Sequence, residues 1–261
     1  MRRALWSLLA LSTACSGQKS DSGAAASGEA GGSAAGTPAA GAASGPTGDA
    51  TVSGTIHFAG TPPANPTIDM AEEPECAKKY ATAAVDSQYV VSNGALGNVF
   101  VYVKSGLPDG ASYPAPEAAK EIDQQGCEYR PRVFGIQTGQ KLLIKNNDPL
   151  LHNIKAVPKQ NRGFNISQPS AGMKTTRTFN TAEVMVPLEC NVHGWMKGYV
   201  GVLPHPFYAT STADGKFEIK GLPPGTYTIE AWHEKLGVQS TSVTVGAGES
   251  KTADFTFGTK A

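Results

Sequence analysis

The sequence has no excess of charge of either sign, since 22 Lys and Arg residues balance 22 Asp and Glu residues. It contains no block of basic residues, so nucleic acid is not an expected partner. It also lacks a Gly-rich phosphate loop, a recognisable pair of catalytic carboxylates and a nucleophile elbow. These absences argue against an enzyme and leave binding and structural functions.

Histidine and cysteine are scarce, with 5 His and 4 Cys in the whole chain. The stretch Cys190-Asn-Val-His193-Gly-Trp-Met196 nevertheless places a thiol, an imidazole and a thioether in one short loop. A further histidine, His152, stands upstream at the end of an Asn-Asp-Pro-Leu-Leu run. One thiolate, two imidazoles and a weak thioether form the ligand set of a copper electron-transfer site.

These segments resemble the type 1 copper site of the cupredoxin family, which includes plastocyanin and amicyanin. His152-Asn153-Ile154 is similar to the upstream ligand strand, and Cys-x2-His-x2-Met is the ligand-loop spacing of amicyanin-like members. The resemblance covers roughly residues 98–204. It implies one type 1 copper, with His152, Cys190 and His193 as equatorial ligands and Met196 as the axial ligand.

The resemblance also implies roles for residues around the metal. Asn153 is expected to hydrogen-bond across to the ligand loop and hold Cys190 in place, as outer partners of metal ligands do. His193 is expected to expose one edge through which electrons pass, with Trp195 in the same electron-transfer surface. A tryptophan there is also consistent with simple packing. Asp148 stands in an Asn-Asp-Pro turn, which explains it locally.

Other metals fit these residues less well. A structural zinc site requires four strong ligands, whereas this loop contains one cysteine and ends with the thioether of a methionine. A dinuclear copper centre would need a second cysteine in the loop. Two classes of function remain: a membrane-tethered copper electron carrier, with copper storage or delivery as a variant, or a metal-free scaffold or adhesion lipoprotein built from β-sandwiches. The redox partner of such a carrier would be another protein.

Cys76 and Cys127 are the other cysteines of the folded region. In an exported protein we expect them to form a disulfide, although two free thiols remain an alternative. Closing a loop of about 50 residues would stabilise the fold by about 4 kcal/mol in chain-entropy terms.

The N-terminus is typical of an export signal. Residues 1–15 combine two arginines, a short apolar run and Ser12-Thr-Ala-Cys15, which resembles a bacterial lipoprotein cleavage box. Small residues at Ser12 and Ala14 would also suit an ordinary signal peptidase. Lipidation of Cys15 would anchor an envelope protein, in the outer membrane or facing the periplasm. Residues 16–49 are rich in Gly, Ala and Ser and are expected to form a disordered tether.

The folded chain is expected to be all-β, a cupredoxin Greek-key sandwich plus a small immunoglobulin- or transthyretin-like sandwich. Short alternating or β-branched runs recur between Gly, Pro and Asn breaks. They are residues 51–58, 98–104, 140–145, 183–189 and 199–203. Helices are plausible only near residues 72–80 and 117–122.

The C-terminal residues 205–261 resemble a carboxypeptidase regulatory-like β-sandwich. The stretch Asp214-Gly-Lys-Phe-Glu-Ile219 and the following Leu-Pro-Pro-Gly-Thr-Tyr combine a hairpin turn, a strand and a second turn. The opening strand usual in that family has a counterpart far upstream, Val52-Ser-Gly-Thr-Ile56. We therefore expect residues 50–97 to be shared with this sandwich, and the cupredoxin part, residues 98–204, to be inserted into it.

Overall fold

The structure is a computed structural model that describes Gly45 and residues 47–259. The predicted signal segment with Cys15, and most of the expected tether, lie outside the described residues. Within residues 47–259, no helix has both the length and the apolar character needed to cross a membrane. Regular structure in this range consists of strands and one short helix, α1 (Pro74–Ala77). The all-β prediction is confirmed.

Nineteen strands were found in the described part of the chain. In chain order they are β1 Ala50–Ala59, β2 Val91–Ser92, β3 Ala95–Leu96, β4 Phe100–Ser105, β5 Lys120–Gln124, β6 Tyr129–Arg130, β7 Val133–Gln137, β8 Lys141–Asn146, β9 His152–Ala156, β10 Phe164–Gln168, β11 Met173–Thr178, β12 Glu183–Glu189, β13 Lys197–Leu203, β14 Tyr208–Thr210, β15 Lys216–Leu222, β16 Gly225–His233, β17 Gly237–Val245, β18 Ser250–Thr252 and β19 Phe255–Gly258.

The first sandwich is built from the middle of the chain. One sheet has the order β10-β9-β12-β13-β7 and the other β11-β8-β5-β6, with β7 parallel to β13 and β5 parallel to β8. Alternate residues of both sheets, such as Ile122, Ile144 and Val200, share one buried core. Each such side chain contributes about 1.5–3 kcal/mol through removal from water.

The second sandwich joins both ends of the described chain. One sheet runs β15-β1-β3-β2, with β18 and β19 also paired to β1, and the other runs β14-β4-β16-β17. Residues 50–59 and 100–105 therefore share sheets with C-terminal strands. The domain boundaries drawn from the sequence stay predictions.

Strand β4 holds the two sandwiches together because both of its faces are buried. Val101 and Val103 point into the core of the second sandwich. Phe100, on the opposite face, packs with Val133 of the first sandwich. Its ring occupies the space where a side chain on Gly201 would lie, so β13 can approach β4 only with glycine at that position.

A covering segment, which we call the cap (residues 60–90), links β1 to β2. It contains α1, which begins at Pro74, a residue suited to the first turn because its missing N–H has no helical partner there. The cap has its own small core, in which Cys76 and Met70 pack with Cys127. A disulfide joins Cys76 to Cys127.

Of the two expected helices, the first forms only as α1 and the second is wrong. Residues 120–124 form β5 instead, paired in parallel with β8. Ile122 alternates with the exposed Glu121 and is fully buried. Burial of alternate residues, Ile122 and Gln124, outweighed the helix-favouring composition of this short run.

Candidate metal centre

The ligand residues predicted from the sequence come from two neighbouring strands. His152 is the first residue of β9, and Cys190 follows the last residue of β12. These strands pair antiparallel, with Glu189 opposite Lys155. The loop that leaves β12 therefore runs past the start of β9, which brings Cys190 and His193 next to His152.

The coordinating atoms of these three residues converge. The side-chain donor atoms of His152, Cys190 and His193 all lie within 4.8 Å of one another, and all three residues are buried. The two Nδ1 atoms are 2.9 Å apart, and the Cys190 Sγ is 3.9 Å from the His193 Nδ1. This is a soft sulfur and two imidazole nitrogens facing one small volume.

The loop is closed by backbone hydrogen bonds. The Met196 N–H donates to the His193 carbonyl at 2.9 Å, and the Cys190 N–H donates to the Met196 carbonyl at 3.3 Å. Met196 is 2% exposed and shares the buried core of Cys190. All four residues of the predicted ligand set thus lie together at one end of the first sandwich.

Asn153 contacts the ligand loop, as the resemblance implied. Its Oδ1 accepts a hydrogen bond from the Asn191 N–H at 3.1 Å, directly after Cys190. Its Nδ2 donates to the Ile166 carbonyl of β10 at 3.1 Å. The amide therefore fixes the loop to β10 through both of its ends.

The Cys190 thiol is set up to ionise. Burial alone would raise its pKa, but the neighbouring His152 and His193 side chains and backbone groups of His193 and Asn153 outweigh burial, and the pKa falls to about 5. One of these donors is the His193 N–H, 3.3 Å from the sulfur. The thiolate is the form of cysteine that binds metals.

The expected exposed edge of His193 is wrong. His193 is 1% exposed, because the cap lies over it. Its Nε2 is 3.8 Å from the Cys76 Sγ and 3.6 Å from the Glu73 Oε2. The disulfide between Cys76 and Cys127 holds this part of the cap in place, so the loop histidine has no free edge towards solvent.

Trp195 is half-buried beside the covered histidine. Its ring centre is 5.1 Å from that of His193, and its Nε1–H donates to the Cys127 carbonyl at 3.1 Å. It packs against both the core of the first sandwich and that of the cap. Trp195 therefore both packs and reaches the surface next to the ligand loop.

Asp148 is the site residue that sequence reasoning missed. Its Oδ2 lies 2.9 Å from the His152 Nε2, and the carboxylate is 2% exposed. It also accepts hydrogen bonds from the Gly126 and Cys127 N–H groups at 3.0 and 2.8 Å. The Asn-Asp-Pro turn carried no signal for the contacts with Gly126 and Cys127, because these two partners lie on a distant loop.

A second group of potential ligands, Cys127, Asp148 and His152, also lies close together. Cys127 is half of a disulfide and has no thiolate to offer. This group therefore does not form a second metal site, and its carboxylate acts on His152 instead.

Comparison with known proteins supports one half of the expected combination directly. Residues 202–258 match the family of the carboxypeptidase regulatory-like domain. The chain forms two β-sandwiches, and this match lies in the second of them. The match spans β14 to β19 together with the end of β13. No curated protein matches the chain.

Several solved structures are similar to part of the chain. A purple cupredoxin from Nitrosopumilus maritimus is 22% identical, covers 31% of this chain and 97% of its own, and gives a TM-score of 0.28. A mutant amicyanin in its Cu(I) state is 17% identical over 39% of this chain and 97% of its own, with a TM-score of 0.30. A copper-containing nitrite reductase from Thermus scotoductus is 20% identical over 38% of this chain and 25% of its own, with a TM-score of 0.29.

The donor set itself fits copper. A buried thiolate, two imidazole Nδ1 atoms and a thioether in the same loop form a soft, mixed set that copper favours in electron-transfer sites. No carboxylate joins this cluster as a ligand in the described residues, since Asp148 faces the Nε2 side of His152. The arrangement gives hard, oxygen-preferring cations nothing to bind.

Proposed function

We propose that this protein is a type 1 copper protein that carries single electrons in the bacterial cell envelope. The observation that carries the proposal is the convergence of the His152, Cys190 and His193 donor atoms within 4.8 Å in a buried site. Bound copper would supply a one-electron Cu(II)/Cu(I) couple. A single copper with its equatorial positions filled by protein leaves no open position for a substrate, so we propose a carrier and not an enzyme.

The residues of the chain would hold the ligand side chains in place around a copper ion. Asn153 fixes the ligand loop to β10, and the Met196 and Cys190 backbone hydrogen bonds close the loop on itself. His193 is held from its far side by the cap. A rigid set of ligands needs little rearrangement when an electron arrives, and this favours fast transfer.

The covered His193 changes where electrons would enter. With its Nε2 edge facing Cys76 and Glu73, electrons do not reach the ligand directly from solvent. Trp195 is half-buried, touches His193 and lies at the surface. We propose that a redox partner protein docks over Trp195 and not over the histidine itself.

Addition of copper(II) to the purified protein tests the proposal. We expect an intense visible band from the thiolate and a narrow copper hyperfine splitting, both lost in Cys190→Ala. Met196→Leu is the matched variant in the same loop and should keep the band while shifting the reduction potential, because the thioether is a weak axial ligand.

Two outcomes would contradict an electron carrier. A colourless protein that binds no copper would favour the metal-free scaffold. Copper bound with an ordinary, widely split signal, unchanged in Cys190→Ala, would favour storage or delivery at another site.

We also propose that lipidated Cys15 anchors the protein to a membrane of the envelope, through the 16–49 tether. Cys15→Ser in the full chain should move the protein from the membrane fraction to the soluble periplasmic fraction. An unchanged distribution would instead indicate an ordinary exported protein or another anchor.

A further inference from the structure

The His152 ring has two nitrogens with opposite surroundings. Its Nδ1 faces the ligand cluster, 2.9 Å from the His193 Nδ1. Its Nε2 faces Asp148, with 2.9 Å between the Nε2 and the Oδ2. A carboxylate can only accept, so the Nε2 must carry the proton of this hydrogen bond. The neutral ring then has its lone pair on Nδ1, which is the atom that faces the cluster.

Asp148 itself is held by more donors than a turn residue requires. The carboxylate accepts from the Gly126 N–H at 3.0 Å and from the Cys127 N–H at 2.8 Å. The Lys79 Nζ of the cap is 2.9 Å from its Oδ1. The Asp148 N–H, in turn, donates to the Asn146 Oδ1 at 3.0 Å. Both oxygens are therefore fixed, and the carboxylate cannot rotate away from His152.

These donors also keep the carboxylate charged. An ammonium group and two backbone N–H donors around one carboxyl group are partners of the ionised form, which has only acceptors. A fixed negative charge thus stands 2.9 Å from the far nitrogen of a predicted copper ligand. Outer carboxylates of this kind orient a ligating histidine and raise its basicity.

We infer that Asp148 is a positioning residue for the copper site: it holds the proton on the His152 Nε2, aims the Nδ1 at the metal and tunes the reduction potential through its charge. Lys79 and the loop that carries the disulfide hold this carboxylate in turn, so the cap has a second task besides covering His193. The inference rests on the proposed copper function for its effect on potential, but not for its effect on the histidine tautomer.

The tautomer can be tested without copper. In nitrogen-15 NMR spectra of the copper-free protein, the His152 Nε2 is expected to carry a slowly exchanging proton at neutral pH, with Nδ1 unprotonated. Asp148→Asn should speed the exchange of that proton and mix the two tautomers. A wild-type ring with its proton on Nδ1 would overturn the inference, whatever the protein does with copper.

The copper-loaded protein tests the charge. Asp148→Asn removes a negative charge and should raise the reduction potential, with about a 10–100-fold loss of copper(II) affinity. Lys79→Gln removes the opposing positive charge without touching the hydrogen bonds to His152, and should lower the potential. A merely structural role would not produce shifts of opposite sign.

Asp123→Asn is the control, because Asp123 lies on β5 and bonds the Asn147 side chain next to Asp148. It should leave the potential and the His152 proton unchanged. If Asp148→Asn does not fold, the test rests on Lys79→Gln, and an unchanged reduction potential in that variant would overturn the inference. If wild-type protein binds no copper, the proposed function fails while the NMR result still decides the role of Asp148.

Discussion

Each of the two sandwiches buries two histidines, and the two pairs have opposite chemistry. His152 and His193 lie at the end of the first sandwich beside Cys190. His205 and His233 are comparably buried, 6% and 1% exposed, and lie on the side of the second sandwich. Burial therefore does not distinguish a candidate ligand from a structural histidine.

The neighbours make the difference. The His205 Nε2 donates to the Val103 carbonyl at 3.0 Å, and its Nδ1 accepts from the Phe207 N–H at 3.3 Å. Burial lowers the pKa of His205 to about 4, and burial with nearby Arg132 and Lys235 lowers that of His233 to about 4. His205 is thus a neutral ring whose two nitrogens are used by the backbone.

His193 shows the reverse. Burial would lower its pKa, but the Cys190 thiolate and then Glu73 raise it. Its Nδ1 faces another imidazole and a sulfur and not a carbonyl. A buried histidine whose nitrogen points at soft donors is available for a metal, whereas one bonded to the backbone is not.

Substitution of one histidine from each pair gives the largest expected contrast. His152→Ala removes a strong ligand and should cost more copper affinity than the roughly 10–100-fold typical of an outer partner, with loss of the visible band. His205→Ala should keep the band and destabilise the fold by about 2–4 kcal/mol, through a cavity and lost hydrogen bonds. Copper titration and urea unfolding of both variants measure this. Equal copper binding by the two variants would contradict the assignment of His152 as a ligand and His205 as a structural histidine.

The disulfide offers a second contrast, because it joins the cap to the loop between β5 and β6, which belongs to the first sandwich and not to the second. The bond closes a sequence separation of 51 residues. The double variant Cys76→Ala/Cys127→Ala should lose about 4 kcal/mol of unfolding free energy. Hydrogen exchange should rise first at the backbone near His193, while β16 and β17 stay protected until global unfolding. Uniform acceleration across both sandwiches would show that they unfold as one unit.

A lower pH should reduce the free energy of unfolding through His205, and this effect should be smaller than the two above. The folded pKa of His205, about 4, lies below its ordinary value of 6.5. Its stabilising contribution is therefore complete above pH 6.5 and is lost as the pH falls towards 4, because the unfolded chain takes up the proton first. The loss amounts to about 3 kcal/mol for this ring.

Unfolding free energies of wild type and His205→Gln between about pH 7 and pH 4 measure this loss. The unfolding free energy of the variant should be lower than that of wild type at neutral pH and should fall less as the pH decreases. The carboxylate of Asp148 contributes at a more acidic range, since its folded pKa is about 2. An identical slope in wild type and variant would mean that His205 takes up its proton without opposing the fold.

Much of this protein follows from local patterns. Alternating residues in β1, β8, β12 and β13 predict strands that form where expected, and the regulatory-like segment was recognisable from its turns and strands. The loop Cys190–Met196 carries three candidate ligands in one short segment, so the sequence alone predicts that they lie close together. A helix was wrongly expected at β5 because this short run has few buried apolar residues. Their spacing is too weak a pattern to distinguish a strand from a helix.

The tertiary structure decided what surrounds the ligands. His193 is covered by Cys76, which lies 117 residues away in sequence, and Asp148 gains its role from the loop at Cys127 and from Lys79. Residue types and spacing encode which atoms are able to bind a metal. The cover over His193 and the donors that hold Asp148 depend on contacts between distant segments, which form only when the first sandwich and the cap pack together.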